Sequence, residues 1–297
     1  MIASIALSAV LGLLLLGAAA ALLRRTRNSS SGQARSALPG ADRKLLETVA
    51  LGLRAVAEGR AHSSYPLPDV QAVIHSGQRL TLQLAVADVA APAPWTADVS
   101  GKEWSLDPTS LRATGNSGDG PTHPYSLTVT LGLHRGDRVL VDLAQLSGPI
   151  ALTGDDNEVL RLAQALITEI VSGPVGLLAT VVLVGSATTP SVTDGLGARS
   201  ARLHTAATRE KALAHTSHTS QTSQSVAGGT HVRRLFVVTA AQFRDERWAD
   251  APLRDTDALL VLGWITDAEW HVGVNADGSL DTGRLGVLVD THTARFS

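Results

Sequence analysis

An apolar run, a glycine and a helical pattern follow one another from residue 150 to residue 172. Ile150 to Thr153 has the length and composition of a short strand, and Asn157 to Ser172 carries apolar residues at helical spacing. A second apolar run, Leu178 to Val184, comes next. A strand, a helix and a strand in this order are typical of a parallel sheet covered by helices. The sequence therefore predicts an α/β fold.

The segments around this unit predict how the sheet is completed. Alternating apolar residues between 127 and 143 predict a β-hairpin whose turn runs from His134 to Asp137. Further apolar patterns predict one more helix, at 208–215, and four short strands, at 235–238, 259–262, 270–274 and 285–289. The expected domain, residues 126–297, is a mostly parallel sheet with flanking helices and antiparallel C-terminal strands.

A preceding region, residues 42–108, is predicted to hold a helix and a β-hairpin. Apolar residues at helical spacing run up to Gly59, a residue type that commonly ends a helix. The hairpin strands are predicted around Val70 to Ile74 and Leu80 to Val86, and Trp95 and Trp104 are expected to pack in the core. Residues 109–125, rich in Gly, Pro, Ser and Thr, are predicted to link this region to the α/β domain.

The first 27 residues predict a membrane anchor. Residues 2–23 carry no charge and span about 33 Å as a helix, enough to cross a hydrocarbon core of roughly 30 Å. Arg24, Arg25 and Arg27 follow this span, and positive charge marks the cytoplasmic side of a membrane helix. The prediction is a single-pass protein whose C-terminal domain is cytoplasmic, with residues 28–41 as a flexible linker. A cleaved signal peptide, which would export the domain, is the alternative.

Charge and composition exclude several functional classes. The chain of 297 residues contains no cysteine, so disulfides, zinc thiolate sites and thiol nucleophiles are excluded. Its formal charge is −2. Without the first 27 residues, which hold three arginines and no acids, 22 basic residues face 27 acidic ones, a balance of −5. A protein that binds nucleic acid non-specifically needs the opposite sign, so no nucleic-acid partner is expected.

The glycine after the first predicted strand stands where nucleotide-binding folds carry a phosphate loop. Such a loop follows the pattern GxxxxGK[ST], in which backbone N–H groups and the lysine bind phosphate and the hydroxyl holds magnesium. After Gly154 the chain reads DDNEV, and the second glycine, the lysine and the hydroxyl are missing. Asp155 and Glu158 have the spacing of a helix capping box, so both are predicted to be a structural helix cap.

Four histidines near a polar stretch are the candidate metal site. His215 and His218 lie in the segment HTSHTSQTSQS, with His204 and His231 on either side. Two histidines three residues apart, without a carboxylate or thiolate at defined spacing, are more typical of a solvated loop than of a metal site. No catalytic, cofactor-binding or metal-binding residue is therefore predicted, and no cofactor is expected.

The order of these segments resembles a known family. The chain is similar to the central region of membrane proteins of high-GC bacteria that pair a LysM module with a bacterial transcriptional activator domain (BTAD). The resemblance rests on the runs YPLPDVQAVIHSGQRLTLQLA, RVLVDLAQLSGPIALTGDDNEVLRLAQALITEI and WHVGVNADGSLDTGRLGVLVD. Residues 139–171 also resemble a degenerate ATPase core of FtsK/SpoIIIE type without its phosphate loop. The resemblance implies no catalytic residue, and neither a LysM module nor a helical activator region is found in the chain.

The sequence therefore predicts a non-catalytic, membrane-anchored α/β module that acts through protein contacts as a scaffold or a signalling element. Its expected partners are the membrane, through residues 2–23, and unidentified proteins, with self-association as one option. A divergent NTPase or hydrolase is the enzymatic alternative, and an exported cell-envelope domain is the third.

The position of the three arginines predicts the topology. A reporter that needs the cytoplasm should be active when it is fused after Ser297, because positive charge follows the apolar span. A second fusion, with a reporter that is active only after export, serves as the control. Activity of the export-dependent reporter alone would contradict the predicted orientation.

Overall fold

Two seven-stranded sheets form most of the structure, a computed structural model that describes residues 39–113, 124–188, 201–214 and 232–295. Residues 43–295 belong to one compact unit. The predicted anchor, residues 2–23, and Arg24, Arg25 and Arg27 lie outside the described residues. Within the described ranges, no helix combines the length and the apolar character that crossing a membrane requires. The anchor therefore stays a prediction.

Sheet A is antiparallel and contains both predicted hairpins. One hairpin pairs β1 with β2 and the other pairs β5 with β6, and β1 also pairs with β6. Strands from the predicted 42–108 region and from the predicted 126–297 domain therefore lie side by side in one sheet. The order is β14-β5-β6-β1-β2-β4-β3. The strands are β1 (Val70–Ser76), β2 (Arg79–Leu84), β3 (Thr96–Ala97), β4 (Glu103–Leu106), β5 (Thr128–His134), β6 (Asp137–Asp142) and β14 (Thr291–His292).

Sheet B is the predicted parallel sheet. Its order is β13-β12-β7-β11-β10-β8-β9, and every neighbouring pair is parallel except β12 with β13. The strands are β7 (Pro149–Gly154), β8 (Ala179–Val184), β9 (Leu203–Ala206), β10 (Arg233–Thr239), β11 (Asp257–Leu262), β12 (Trp270–Val274) and β13 (Leu280–Asp281).

The strand predicted at 285–289 is not a strand in the structure. Gly286 turns the chain there with a φ of +68°, and Val289 makes only an isolated bridge to Leu280. The antiparallel additions at the C-terminal end of the chain are instead the two-residue strands β13 and β14. They lie in different sheets.

Helix α1 (Pro39–Ser63) covers one face of sheet A. Its residues Val49, Leu53 and Val56 belong to the same buried cluster as Leu82 and Trp104 of that sheet. The prediction that the helix ends at Gly59 was wrong. The missing side chain serves packing instead, because a Cβ atom at Gly59 would lie 2.3 Å from Pro92 Cβ.

Helix α3 (Asp156–Ser172) connects the two sheets. Its apolar residues share one buried cluster with side chains of β5 and β6 in sheet A and of β7, β8, β10 and β11 in sheet B. The Glu169 carboxylate also accepts hydrogen bonds from the N–H of Thr130, at 2.9 Å, and from its hydroxyl, at 3.0 Å. The short helix α2 (Pro108–Ala113) lies after β4. The other face of sheet B packs against α4 (Ala240–Asp245) and a helical segment at 209–214.

A buried carboxyl group lies at the end of β6. Asp142 is 2% exposed; its Oδ1 accepts a hydrogen bond from the N–H of Ala144 at 2.9 Å, and its Oδ2 lies 4.0 Å from Arg233 Nη1. That distance is too long for a hydrogen bond. Burial raises the pKa of Asp142 to about 6, although the Arg233 guanidinium acts in the opposite direction.

This raised pKa predicts how stability depends on pH. The folded state binds the Asp142 proton more tightly than the unfolded state does, so the contribution of this group to stability falls as the pH rises from about 4 to about 6. Asp142→Asn removes that cost and should be more stable than the wild type at pH 8, by about 1 to 3 kcal/mol. Urea unfolding of both proteins at several pH values measures the difference, which should shrink towards pH 4. A difference that is constant with pH would contradict the assignment.

Candidate functional site

The carboxyl edge of sheet B is the candidate functional site. Open α/β sheets bind their ligands in the crevice outside the carboxyl ends of their strands. Here β7 ends at Gly154, and α3 begins at Asp156, so a single residue separates strand from helix. The neighbouring strands β12 and β11 end at Val274 and Leu262.

Asp155 occupies the N-terminus of α3. Its Oδ1 accepts hydrogen bonds from the backbone N–H groups of Asn157, at 3.0 Å, and Glu158, at 3.1 Å. These are the N–H groups with which a helix N-terminus binds a phosphate. The carboxylate of Asp155 thus stands where a phosphate oxygen would stand, and it satisfies two N–H groups of the first helical turn.

The backbone leaves little room beside this turn. Gly154 has a φ of +116°, and a Cβ atom there would lie 2.2 Å from the carbonyl oxygen of Val274. The Asp155 N–H donates to the same oxygen at 3.0 Å. The connection from β7 to α3 therefore lies directly against the end of β12, whereas a phosphate loop needs several residues to wrap around its ligand.

Glu158 lies one turn into α3 and contacts the C-terminal end of the chain. Its Oε2 accepts a hydrogen bond from His292 Nε2 at 2.8 Å, and its Oε1 accepts from Arg295 Nη2 at 2.9 Å and from Arg161 Nη1 at 3.0 Å. The hydrogen bond from Arg295 is the main cause that lowers the pKa of Glu158 below its ordinary value. The capping box expected from the sequence is not completed, because the N–H of Asp155 is bonded to Val274.

Residues 291–295, here called the C-terminal clasp, cover the helix end. Within the clasp, β14 pairs with β5, so that His292 lies opposite Gly132. The His292 side chain is fully buried, and burial lowers its pKa below the ordinary value. Arg295 also donates to the carbonyl oxygen of Ala276, in the turn after β12. Residues of the clasp thus contact α3, sheet A and the turn after β12 of sheet B.

Two further strand ends at this edge, among the described residues, carry hydroxyl and amide groups. Thr239, which follows β10 where a magnesium-binding acid would be expected, caps α4 by accepting from the N–H of Gln242 at 3.3 Å. Its hydroxyl also lies 2.9 Å from Ser186 Oγ. Gly185 follows β8, and the Gln242 side chain fills the space beside it: a Cβ atom at Gly185 would lie 2.1 Å from the amide nitrogen.

No pattern in the sequence points to His292 or Arg295. Both are isolated charged or polar residues in the sequence, 134 and 137 positions after Glu158. Only the pairing of β14 with β5 brings them to the helix. Of the four histidines in and around the segment HTSHTSQTSQS, His204 lies on β9, and the other three fall outside the described residues.

Comparisons with known proteins add a weak structural similarity. No family model matches the chain, and no curated protein matches it. The pCW3 conjugation coupling protein TcpA, solved in its monomer form with ATPγS, matches over 74% of this chain and 82% of its own, with 9% identity and a TM-score of 0.33. Thermomonospora curvata EccC (ATPases 2 and 3), solved with a signal sequence peptide, matches over 71% of this chain and 46% of its own, with 10% identity and a TM-score of 0.33.

Both structures are FtsK/SpoIIIE-like P-loop ATPases, the class that residues 139–171 resemble in sequence. The chain spans less than half of the EccC chain. At these TM-scores the similarity assigns neither an activity nor a ligand to this protein. The resemblance to LysM and BTAD proteins stays an expectation.

The cap predicts unequal effects of two neighbouring acids. Asp155→Ala should lower the free energy of unfolding by roughly 0.5 to 2 kcal/mol, because two N–H groups of α3 lose their acceptor. Asp156→Ala removes the same charge but no capping acceptor, so its effect should be smaller. Thermal or urea unfolding of the two variants and the wild type measures both. Equal losses, or a larger loss for Asp156→Ala, would contradict the assignment of the cap.

Proposed function

We propose that this chain is a non-catalytic α/β module that acts through protein contacts as a scaffold or signalling element, held on the cytoplasmic face of a membrane by residues 2–23. One observation carries the non-catalytic part of the proposal. The N-terminus of α3 is capped by Asp155 and covered by the C-terminal clasp. The position that a nucleotide phosphate takes in this kind of fold is already filled by the protein.

The charges at this position also oppose an anionic ligand. A triphosphate at the first turn of α3 would have to displace the Asp155 carboxylate and approach Asp156, which is exposed. The negative charges of the phosphates and of these two carboxylates would repel each other. The cations nearest to the turn, Arg295 and Arg161, are engaged by Glu158. A phosphate loop has the opposite arrangement, with a lysine and free N–H groups.

Membrane attachment in this proposal depends on the apolar span alone. Without residues 1–27 the chain has a balance of −5, so anionic lipid does not attract it electrostatically. The expected location follows from the arginines after the span. A divergent NTPase is the alternative that the following experiment is designed to detect.

Thermal unfolding with and without millimolar Mg-ATP tests the proposal. The purified full-length protein should unfold at the same temperature in both conditions, because the Asn157 and Glu158 N–H groups at the N-terminus of α3 already have the Asp155 carboxylate as their acceptor. A ligand present at 100 times its dissociation constant would stabilise the fold by about 2.7 kcal/mol, a readily measured shift. Asp155→Ala is measured in parallel, with Asp156→Ala as the control of equal charge. A stabilisation of the wild type by ATP that only Asp155→Ala loses would refute the non-catalytic reading.

A further inference from the structure

Exposed apolar side chains are concentrated on three loops at one end of sheet A. The described residues include eight large apolar side chains that are exposed, and five of them lie within residues 64–69, 85–90 and 98–101. The five are Tyr65, Leu67, Val86, Val89 and Val99, with exposures of 56%, 44%, 67%, 72% and 104%. Exposed apolar side chains that are concentrated in one region mark an interaction site more often than scattered ones do. These three segments are called the loop surface below.

Asp88 joins the second loop to the third loop and to α1. Its N–H donates to the carbonyl oxygen of Gly101 at 2.8 Å, and its own carbonyl accepts from Trp104 Nε1 at 2.6 Å. Its carboxylate pairs with the buried Arg60 and accepts from the N–H of Ala90 at 2.8 Å. A further hydrogen bond joins the N–H of Ala85 to the carbonyl of Asp69 at 2.9 Å, so the first and second loops are linked as well.

The Arg60 guanidinium also contacts two aromatic rings beside the same surface. The Arg60 guanidinium lies 4.8 Å from the centroid of the buried Trp104 ring and 5.4 Å from that of the exposed Tyr65 ring. Cation–π contacts of this length restrict the side chains involved. The loop surface is thus pre-organised, which lowers the entropy cost of binding, and it presents a tyrosine, a residue type enriched at binding hot spots.

The rim of this surface is acidic. This rim consists of the exposed carboxylates at the ends of the segments: Asp69 ends the first, Asp98 begins the third, and Glu103 follows the third by two residues. The exposed base nearby, Lys102, donates to the carbonyl of Ala85. An acidic rim repels anionic lipid and also repels a second copy of itself across a two-fold axis. It complements a partner that carries Lys or Arg beside its apolar residues.

The loop surface adjoins the C-terminal end of α1, since Arg60 lies in the last turn and Tyr65 follows the helix. The chain enters α1 at Pro39, and 25 residues of helix are about 37 Å long. The surface is therefore at the opposite end of α1 from Arg43, the first residue of the compact unit.

We propose that the loop surface docks a partner protein through an apolar segment flanked by Lys or Arg. The inference rests on the proposed function, because it supplies the contact surface for a module that acts through protein contacts. Tyr65, Val89 and Val99 provide the apolar contacts, and Asp69, Asp98 and Glu103 provide the charge complementarity.

Site-specific photo-crosslinking of the full-length protein in its own host tests this proposal. Photoreactive benzoylphenylalanine replaces Val89 or Val99 in the loop surface and, as controls, Leu177 or Leu288, which are 61% and 64% exposed. We expect an adduct with one other protein from the first two positions and not from the controls. The cross-linked partner peptide, identified by mass spectrometry, should contain Lys or Arg beside apolar residues. Glu103→Lys should reduce the adduct yield by about tenfold, through like-charge repulsion.

Four outcomes would overturn the inference. These are an adduct of two copies of this chain, an adduct with lipid, equal yields at the control positions, and a yield unaffected by Glu103→Lys. None of them depends on nucleotide binding, which is measured separately by thermal unfolding with Mg-ATP. A failed docking surface and a failed non-catalytic reading are therefore distinguishable.

Discussion

The burial of helix α3 between two sheets is the constraint on which the rest of the structure depends. Leu162, Leu166 and Ile170 are at most 1% exposed and share one cluster with apolar side chains of both sheets. Removing such side chains from water supplies roughly 1.5 to 3 kcal/mol each, so the axis and rotation of α3 are strongly fixed. Its N-terminus is thereby placed at the end of β7, against β12, with Asp155 and Glu158 in set positions.

The closed helix end follows from this placement and decides what the domain is suited for. A fixed helix N-terminus in an open α/β sheet is an anion site unless the protein satisfies its N–H groups. Here the Asp155 carboxylate accepts hydrogen bonds from two of them, and the clasp pairs Glu158 with the Arg295 guanidinium and hydrogen-bonds it to His292. Among the described residues, the largest group of exposed apolar side chains lies instead on the loop surface of sheet A.

Local sequence patterns predicted the elements whose structure depends on residues close to one another in the chain. The two hairpins, the strand–helix–strand unit and the packing of Trp95 and Trp104 all follow from periodicity and turn residues within short windows. Long-range pairings could not be predicted in this way: β1 pairs with β6 across residues 109–125, and the clasp reaches Glu158 from 134 residues away. The end of α1 could not be predicted from Gly59 for a related reason, since this glycine allows close contact with Pro92, a residue outside the helix.

Amide hydrogen exchange at the first turn of α3 tests the central claim most directly. The measurement compares residues 156–159 of the full-length protein with and without millimolar Mg-ATP, and uses the turn between β1 and β2, at residues 77–78, as an internal reference. The Asn157 and Glu158 N–H groups already have the Asp155 carboxylate as their acceptor, so their exchange should be slow and unchanged by ATP. Fast exchange without ATP that becomes slow when ATP is added would show that the helix end is open and binds phosphate, in contradiction to this account.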